Sequence, residues 1–176
     1  MKSDEQLMLE FQAGTVGAFE ELFERYRNPI YGFFRRRLNN AARAEELAQE
    51  TFVIILRGVE QYEPQAKFRT YIYAIAIKQL WSERRKEIRA DKFAAEPQEA
   101  SRESDPSTAL WIRDALAQLD VGHREVLMLR EYEQLSYDEI AEVLAVPINT
   151  VRSRLSRART ELKALLESQS ARGISR

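Results

Sequence analysis

The chain has 176 residues, which allows one or two domains, and 44% of them are hydrophobic, which suffices for packed cores. The net charge is only −1, so binding to nucleic acid would depend on local basic patches. The sequence has no cysteine and one histidine, which excludes disulfides, thiolate catalysis and multi-histidine metal sites. We expect no cofactor, no metal and no catalytic site, and a cytoplasmic protein.

The N-terminus lacks the long apolar core and the cleavage site of a secretion signal. No apolar run approaches the roughly 20 residues of a membrane helix. We therefore expect no membrane insertion of the chain itself.

Charge and composition divide the chain into two parts. Residues 1–92 carry 16 Lys or Arg against 14 Asp or Glu, and residues 109–176 carry 10 against 10. Between them, residues 93–108 carry 1 against 4 and contain two prolines. This composition predicts a flexible acidic linker. The expected fold is all-α, with small helical domains at 1–92 and 109–170 and a tail at 171–176.

Helical periodicity begins near the N-terminus. Ser3 and Gln6 predict a capping box for a short helix that stops at Gly14. A longer helix is expected over about 16–38, with Pro29 kinking it or splitting it in two.

The next predicted helix, about 41–57, has two different faces. One face is apolar and is expected to be buried. The other combines acids and an amide with large apolar side chains: Glu45, Glu46, Gln49, Glu50, Phe52 and Leu56. Such a mixture is typical of a protein docking surface, but a neighbouring helix of the same domain could also cover Phe52 and Leu56.

A loop with Gly58 and Pro64 leads into a helix over 68–86, which is apolar on two sides. Its aromatic residues alternate with lysines and arginines. That pattern fits a platform where bases stack on rings and cations hold the backbone of a single strand. Many of these rings could equally belong to the core.

Residues 135–166 read as a helix, a tight turn and a longer helix rich in arginine. Ser136 with Glu139 predicts a capping box, and Pro147 suits the first turn of the second helix. On that helix, one apolar stripe runs along a single side. The stripe consists of Val151, Leu155, Ala158 and Leu162.

Short polar residues lie opposite this stripe, and arginines flank them. Short side chains allow a helix to approach base edges in the major groove, while arginines reach guanines or phosphates. The arrangement favours a DNA-binding helix-turn-helix over a solvated basic helix. The candidate DNA-contacting residues are Asn149, Thr150, Arg152, Ser153, Arg154, Ser156, Arg157 and Arg159.

Three segments together resemble a known family, the bacterial extracytoplasmic-function (ECF) RNA polymerase sigma factors. Residues 44–56 are AEELAQETFVIIL, which is similar to the family's core-polymerase-binding helix, whose typical sequence is DAEDLVQETFL. Residues 68–76 are FRTYIYAIA, similar to its FRTWLYRIA. Residues 124–162 resemble the fourth sigma region. The resemblance covers about residues 5–166.

The resemblance implies a subunit that binds core RNA polymerase, reads duplex DNA at the promoter −35 element and handles the unpaired −10 strand. It also implies an anti-sigma factor as inhibitor. By this resemblance the docking candidates at 45–56 contact core polymerase and the helix-turn-helix candidates read the −35 element. The −10 candidates are Tyr62, Lys67, Arg69, Thr70, Tyr71, Tyr73, Lys78, Trp81, Arg84 and Arg85.

The sequence also departs from the family pattern. Arg43 stands where the docking helix usually begins with an acid. Ala74, Ile77 and Lys78 replace residues that are often Arg, Arg and Asn, and Asn149 replaces a small residue. The alternative interpretation is a stand-alone helix-turn-helix regulator whose N-terminal domain senses a signal or dimerises.

Overall fold

The computed structural model describes residues 1–93 and 108–173. Within these ranges the chain forms helices and no strands, so the predicted all-α class is confirmed. It divides into two compact units, 1–101 and 102–176. The predicted acidic linker lies outside the described residues except at its ends. Among the described helices, none is long and apolar enough to cross a membrane.

The first unit contains four α-helices and one short 3-10 turn. They are α1 (Asp4–Gln12), α2 (Val16–Arg35), α3 (Ala41–Arg57), the turn Val59–Gln61 and α4 (Phe68–Phe93). The expected capping box of Ser3 with Gln6 is present, and Asn40 caps α3 by accepting from the Arg43 amide at 3.0 Å. Of the two alternatives predicted for Pro29, a kink or a split, the split is wrong, because α2 runs through that residue as one helix.

The core of the first unit lies between α2, α3 and α4, with α1 packed on α2 and α4. Its largest fully buried side chains are Phe33, Phe34, Phe68, Leu7, Met8, Leu22, Ile30, Leu47, Ile55, Ile72, Ile77 and Leu80. Helix α4 therefore contributes apolar residues on more than one side, as its sequence pattern predicts.

An ion pair fixes α3 against α4. The Arg43 guanidinium donates from Nε to Glu83 Oε1 at 2.6 Å and from Nη2 to Glu83 Oε2 at 2.8 Å. The hydrogen bond from Arg43 holds the pKa of Glu83 below its usual value, although partial burial opposes this. Arg43 also reaches Glu46 at 2.8 Å. Arg43, which differs from the family pattern, thus takes part in a contact between two helices.

The second unit contains α5 (Thr108–Gln118), α6 (Val121–Glu131), α7 (Tyr137–Leu144) and α8 (Ile148–Gly173). Both parts of the Ser136–Glu139 capping box form, at 3.2 and 2.7 Å. Helix α7 ends at Ala145, whose φ of 53° lies in the left-handed region. The chain then turns directly into α8. This helix continues to Gly173, into the segment that the sequence predicts to be a tail.

Candidate nucleic-acid interface

Helix α8 packs on its own unit through the predicted apolar stripe. Val151, Leu155 and Ala158 are buried, and Leu162 is half-buried. Contacts with α5, α6 and α7 cover this side of the helix. The opposite side is therefore the one left for a ligand.

The polar residues predicted to face away from the stripe do so. Asn149, Arg152, Ser153, Ser156 and Arg157 are all exposed, and Thr150 is half-buried. They lie within about three turns at the start of α8, where a helix inserted in the major groove usually contacts bases. We call this set, from Asn149 to Arg157, the recognition face.

Local hydrogen bonds order two parts of the recognition face. Arg152 Nη1 donates to Asn149 Oδ1 at 3.1 Å, so the amide and the guanidinium are held side by side. Ser153 Oγ donates to the Thr150 carbonyl at 3.1 Å. The first contact uses one of the five Arg152 donors and none of the two on the Asn149 amide nitrogen.

Two other predicted arginines are turned toward their own unit. Arg159 Nη2 donates to Glu131 Oε1 at 2.9 Å, and this hydrogen bond raises the pKa of Arg159. Arg154 is half-buried and lies near Asp120, the N-cap of α6. The backbone amides of Gly122 and His123 are the main reason that the pKa of Asp120 is lowered, and Arg154 adds to the effect. These arginines brace α8.

In the first unit, one stripe of α4 faces outward. Its residues recur at 71, 74, 78, 81 and 85, the spacing of a single helix face at about 100° per residue. Lys78 and Arg85 are exposed, while Tyr71 and Trp81 are half-buried. Each therefore presents a cation or a ring edge to solvent. We call Tyr71, Lys78, Trp81 and Arg85 the α4 stripe.

Other predicted −10 residues are turned into the core. Tyr62, Thr70 and Tyr73 are buried, so their side chains are not available as stacking platforms or wedges. Tyr73 packs on Phe33, with ring centroids 5.8 Å apart. Burial raises the pKa of Tyr62 to about 12. The remaining −10 candidates, Arg69 and Arg84, are half-buried, and Lys67 is exposed.

A pocket of about 340 Å³ opens between the loop and the start of α4. It is lined by Gly58, Gln61, Tyr62, Glu63, Gln65 and Tyr71. The Tyr62 and Tyr71 rings meet at 5.4 Å in an edge-to-face contact, while amide and carboxylate groups from the loop supply polar contacts. The pocket is thus a place where a planar ring could be enclosed and hydrogen-bonded.

The predicted docking face of α3 is partly covered. Phe52 is only 6% exposed because α2 covers it, with Phe23 at 4.9 Å and Phe19 at 6.4 Å between ring centroids. The alternative that a neighbouring helix covers this ring is therefore confirmed for Phe52. It is wrong for Leu56, which remains 39% exposed.

The acids and amide of that face do reach the surface. Glu45, Glu46, Gln49 and Glu50 are exposed. A groove of about 330 Å³ runs between α2 and α3, with Phe52 beneath it and Glu45 and Gln49 along one side.

Sequence reasoning missed the other side of the groove. Phe23 and Tyr31 on α2 are 36% and 38% exposed and line it. The apolar periodicity of α2 predicts that Phe23 is buried together with Leu22 and Tyr26. Periodicity alone does not show that α3 covers only part of this apolar side. Alternation of exposed rings with Arg27 and Asn28 is the signal that could have indicated them.

Comparison with known families and proteins finds a match in each of the two units. A family model described as Sigma-70 region 2 matches residues 22–90, and one described as Sigma-70, region 4 matches residues 109–162. The chain is 33% identical over 165 residues to the RNA polymerase sigma factor CarQ of Myxococcus xanthus, covering 90% of this chain and 95% of that one.

Further similarities point in the same direction. The ECF RNA polymerase sigma-E factor of Haemophilus influenzae is 29% identical over 174 residues, covering 89% of this chain and 92% of that protein. Among solved structures, the sigma factor RpoE in complex with the anti-sigma factor NepR from Bartonella quintana has a similar fold. That match has a TM-score of 0.76 at 23% identity and covers 86% of this chain and 98% of that one.

Proposed function

Because the chain belongs to the ECF group of RNA polymerase sigma factors, we propose that it divides its work among three surfaces. As a sigma factor it binds core RNA polymerase and directs promoter-specific transcription initiation. In our proposal the domain at residues 1–92, within the first unit, docks on polymerase and handles the −10 strand. The domain at residues 109–170, within the second unit, has a separate role and reads the −35 element.

The recognition face is the observation that carries the proposal. Asn149 and Arg152, held together at 3.1 Å, are the side chains best placed to read base edges in the −35 major groove. Asn can pair with adenine and Arg with guanine. Ser153 and Ser156 allow close approach, and Arg157 contacts phosphate. Arg154 and Arg159 support the helix.

For the −10 strand we propose the α4 stripe together with the pocket beside the loop. Lys78 and Arg85 hold the strand backbone, while Trp81 and Tyr71 offer ring edges or faces for stacking. The pocket encloses a base that has left the stack, using Gln61 and Glu63 for hydrogen bonds. Tyr62 forms the wall of this pocket from a buried position.

For core polymerase we propose the groove between α2 and α3. Glu45, Glu46, Gln49 and Glu50 provide an acidic rim, and exposed Leu56 extends the apolar area. Phe23 and Tyr31 add aromatic surface, which is favoured at protein interfaces. In this arrangement Phe52 shapes the groove from below.

We also propose control by an anti-sigma factor in the cytoplasm. The sigma factor of the similar Bartonella structure is bound to one, NepR. Each unit of this chain has an apolar groove that such a partner could cover. The second groove, of about 460 Å³, lies between α5, α6 and α8 and includes Leu116, Met128 and Leu162. We assign no covalent chemistry to the protein.

In vitro transcription with core polymerase and a promoter library tests the proposal. The expected result is initiation from a subset of templates that share −35 and −10 sequences. Arg152→Ala should relax selection at one −35 position, whereas Arg85→Ala should reduce strand opening, measured by permanganate footprinting. Unchanged −35 selection by Arg152→Ala together with unchanged strand opening by Arg85→Ala would remove the proposed division of surfaces.

A further inference from the structure

Helix α1 holds one end of the loop that forms the proposed base pocket. Gln12, at the end of α1, donates from Nε2 to three loop carbonyls, those of Val59 at 2.9 Å, Glu60 at 3.2 Å and Tyr62 at 3.1 Å. These contacts join residues 47 to 50 positions apart in sequence. An amide has two N–H groups, so at least one is shared between acceptors.

The same helix holds the other end of the loop. Glu5 Oε1 accepts from the backbone amide of Phe68 at 2.9 Å, where α4 begins. That amide is one of the first-turn donors that α4 cannot satisfy itself, and a carboxylate there also interacts favourably with the helix dipole. Burial opposes ionisation of Glu5, but the Phe68 amide and other hydrogen bonds keep its pKa below the usual value.

Helix α1 is itself fixed to the rest of the unit. Leu7 and Met8 are fully buried. Asp4 accepts from Tyr26 Oη at 2.5 Å and pairs with Arg25 on α2. Both ends of the loop are therefore tied to an element that is anchored in the core.

Between these two attachments the loop is exposed at Glu63, Pro64 and Gln65. This part lines the pocket, so its position relative to Tyr71 determines the width of the pocket. A loop that is already ordered loses less conformational entropy when it binds a ligand. Without Gln12, three carbonyls would lose their side-chain donor and the loop would sample more conformations.

We propose that Gln12 and Glu5 are positioning residues that preset the pocket for an unstacked base. The inference rests on the proposed role of the loop in capturing a −10 base. It assigns to α1 a part in promoter opening that is separate from core binding and from −35 recognition.

The test compares variants of the full-length protein assembled with core polymerase. Gln12→Met keeps the side-chain length but removes the donor, and Gln12→Lys restores a donor. Glu10→Gln, on the same helix as Gln12, serves as the matched control, because it removes only the exposed pair of Glu10 with Lys2. A Gly-Ser replacement of residues 63–66 tests the loop itself.

Two measurements are made. The first is amide hydrogen exchange of residues 59–67 in the free protein. The second is the affinity of the holoenzyme for forked DNA with a base or an abasic site at each unpaired −10 position.

We expect Gln12→Met to speed exchange in the loop and to lower the base-over-abasic preference about fivefold, since ordering costs of this size accompany loop immobilisation. Gln12→Lys should restore most of the preference, and Glu10→Gln should retain it. Glu5→Ala should act like Gln12→Met.

The outcomes separate two kinds of failure. If the loop replacement leaves every base preference intact, the proposed capture of a base is wrong. The inferred role of α1 is then wrong as well. If the replacement removes a preference that Gln12→Met keeps, only the role of Gln12 is wrong. Loss of preference in both Gln12→Lys and Gln12→Met, or in Glu10→Gln, would also overturn the inference, because donation by Gln12 would not be its cause.

Discussion

Helix α8 and the helices of the first unit present their ligand surfaces in different ways. In α8 the recognition face lies opposite one buried stripe, and all of its residues except half-buried Thr150 are exposed. In α4 the buried arc is wide, because α1, α2 and α3 all pack against this helix. Up to residue 85, the exposed or half-buried positions of α4 include the narrow α4 stripe, which lies beside the loop.

This difference matches the two kinds of recognition. Reading a duplex requires a rigid helix whose whole outer face enters the major groove. Holding an unpaired strand requires a few rings and cations and a pocket for a displaced base. In the first unit, most aromatic side chains therefore stabilise the fold, and in our proposal the unpaired strand contacts a minority of them.

The largest expected effect concerns Phe52, an aromatic side chain that is buried in the first unit. Phe52→Ala should lower the free energy of unfolding by about 3–5 kcal/mol, because it leaves a cavity under Phe19 and Phe23. Urea denaturation of the purified protein measures this loss. A stability loss below about 1 kcal/mol would show that Phe52 is not part of the core.

Leu56→Ala is the matched variant on the same helix. Leu56 is exposed, so its truncation should change stability little and should instead weaken binding to core polymerase. A pull-down at a temperature where both variants are folded separates the two effects. Normal core binding by Leu56→Ala would remove this residue from the docking surface.

The sequence predicts one-sided helices better than helices that are packed on several sides. The α8 stripe and its opposite face follow directly from a 3.6-residue period, and the Ser136 capping box follows from local spacing. The burial of Tyr62 and Tyr73 depends on which helices pack against α4. The groove at Phe23 likewise depends on how much of α2 is covered by α3. Such facts arise from long-range packing, which periodicity alone does not describe.

The next expected effect concerns the ion pair between α3 and α4. Glu83→Gln should cost about 2 kcal/mol at neutral pH, because Arg43 would lose a partly buried charged partner. Glu87→Gln, at an exposed position of α4, is the control and should be nearly neutral. Urea denaturation again provides the measurement. The comparison tests whether the ion pair with Arg43 stabilises the packing of α4, which the hydrophobic pattern of α4 does not show.

The cost of Glu83→Gln should depend on pH with a defined sign. The folded pKa of Glu83 is lowered, so the folded protein binds this proton less readily than the unfolded chain. The stabilisation is present above the unfolded value of about 4.3 and is lost as pH falls through the folded value. The stability difference between wild type and Glu83→Gln should therefore shrink below about pH 4. A difference that is constant from neutral to acid pH would contradict the ion pair.

A smaller effect distinguishes base contacts from phosphate contacts on the recognition face. Arg152→Ala should cost about 1–2 kcal/mol on the preferred −35 duplex and relax preference at one position. Arg157→Ala should weaken all duplexes alike and reduce the salt slope by about one. Titrations against duplexes with each −35 base varied, at two salt concentrations, measure both. Uniform weakening by Arg152→Ala would show that it does not read a base.

The smallest expected effect concerns an arginine of α8 that is paired with an acid of its own unit. Arg159 is paired with Glu131 within its own unit, so Arg159→Ala should leave both the base preference and the salt slope unchanged. Since this pair is largely exposed, its loss should cost less than about 1 kcal/mol of stability. Denaturation and the same salt titrations measure the two quantities, with Arg157→Ala as the comparison. If Arg159→Ala reduced the salt slope as much as Arg157→Ala, the DNA surface would extend further along α8, and the Glu131 contact would have to break when DNA binds.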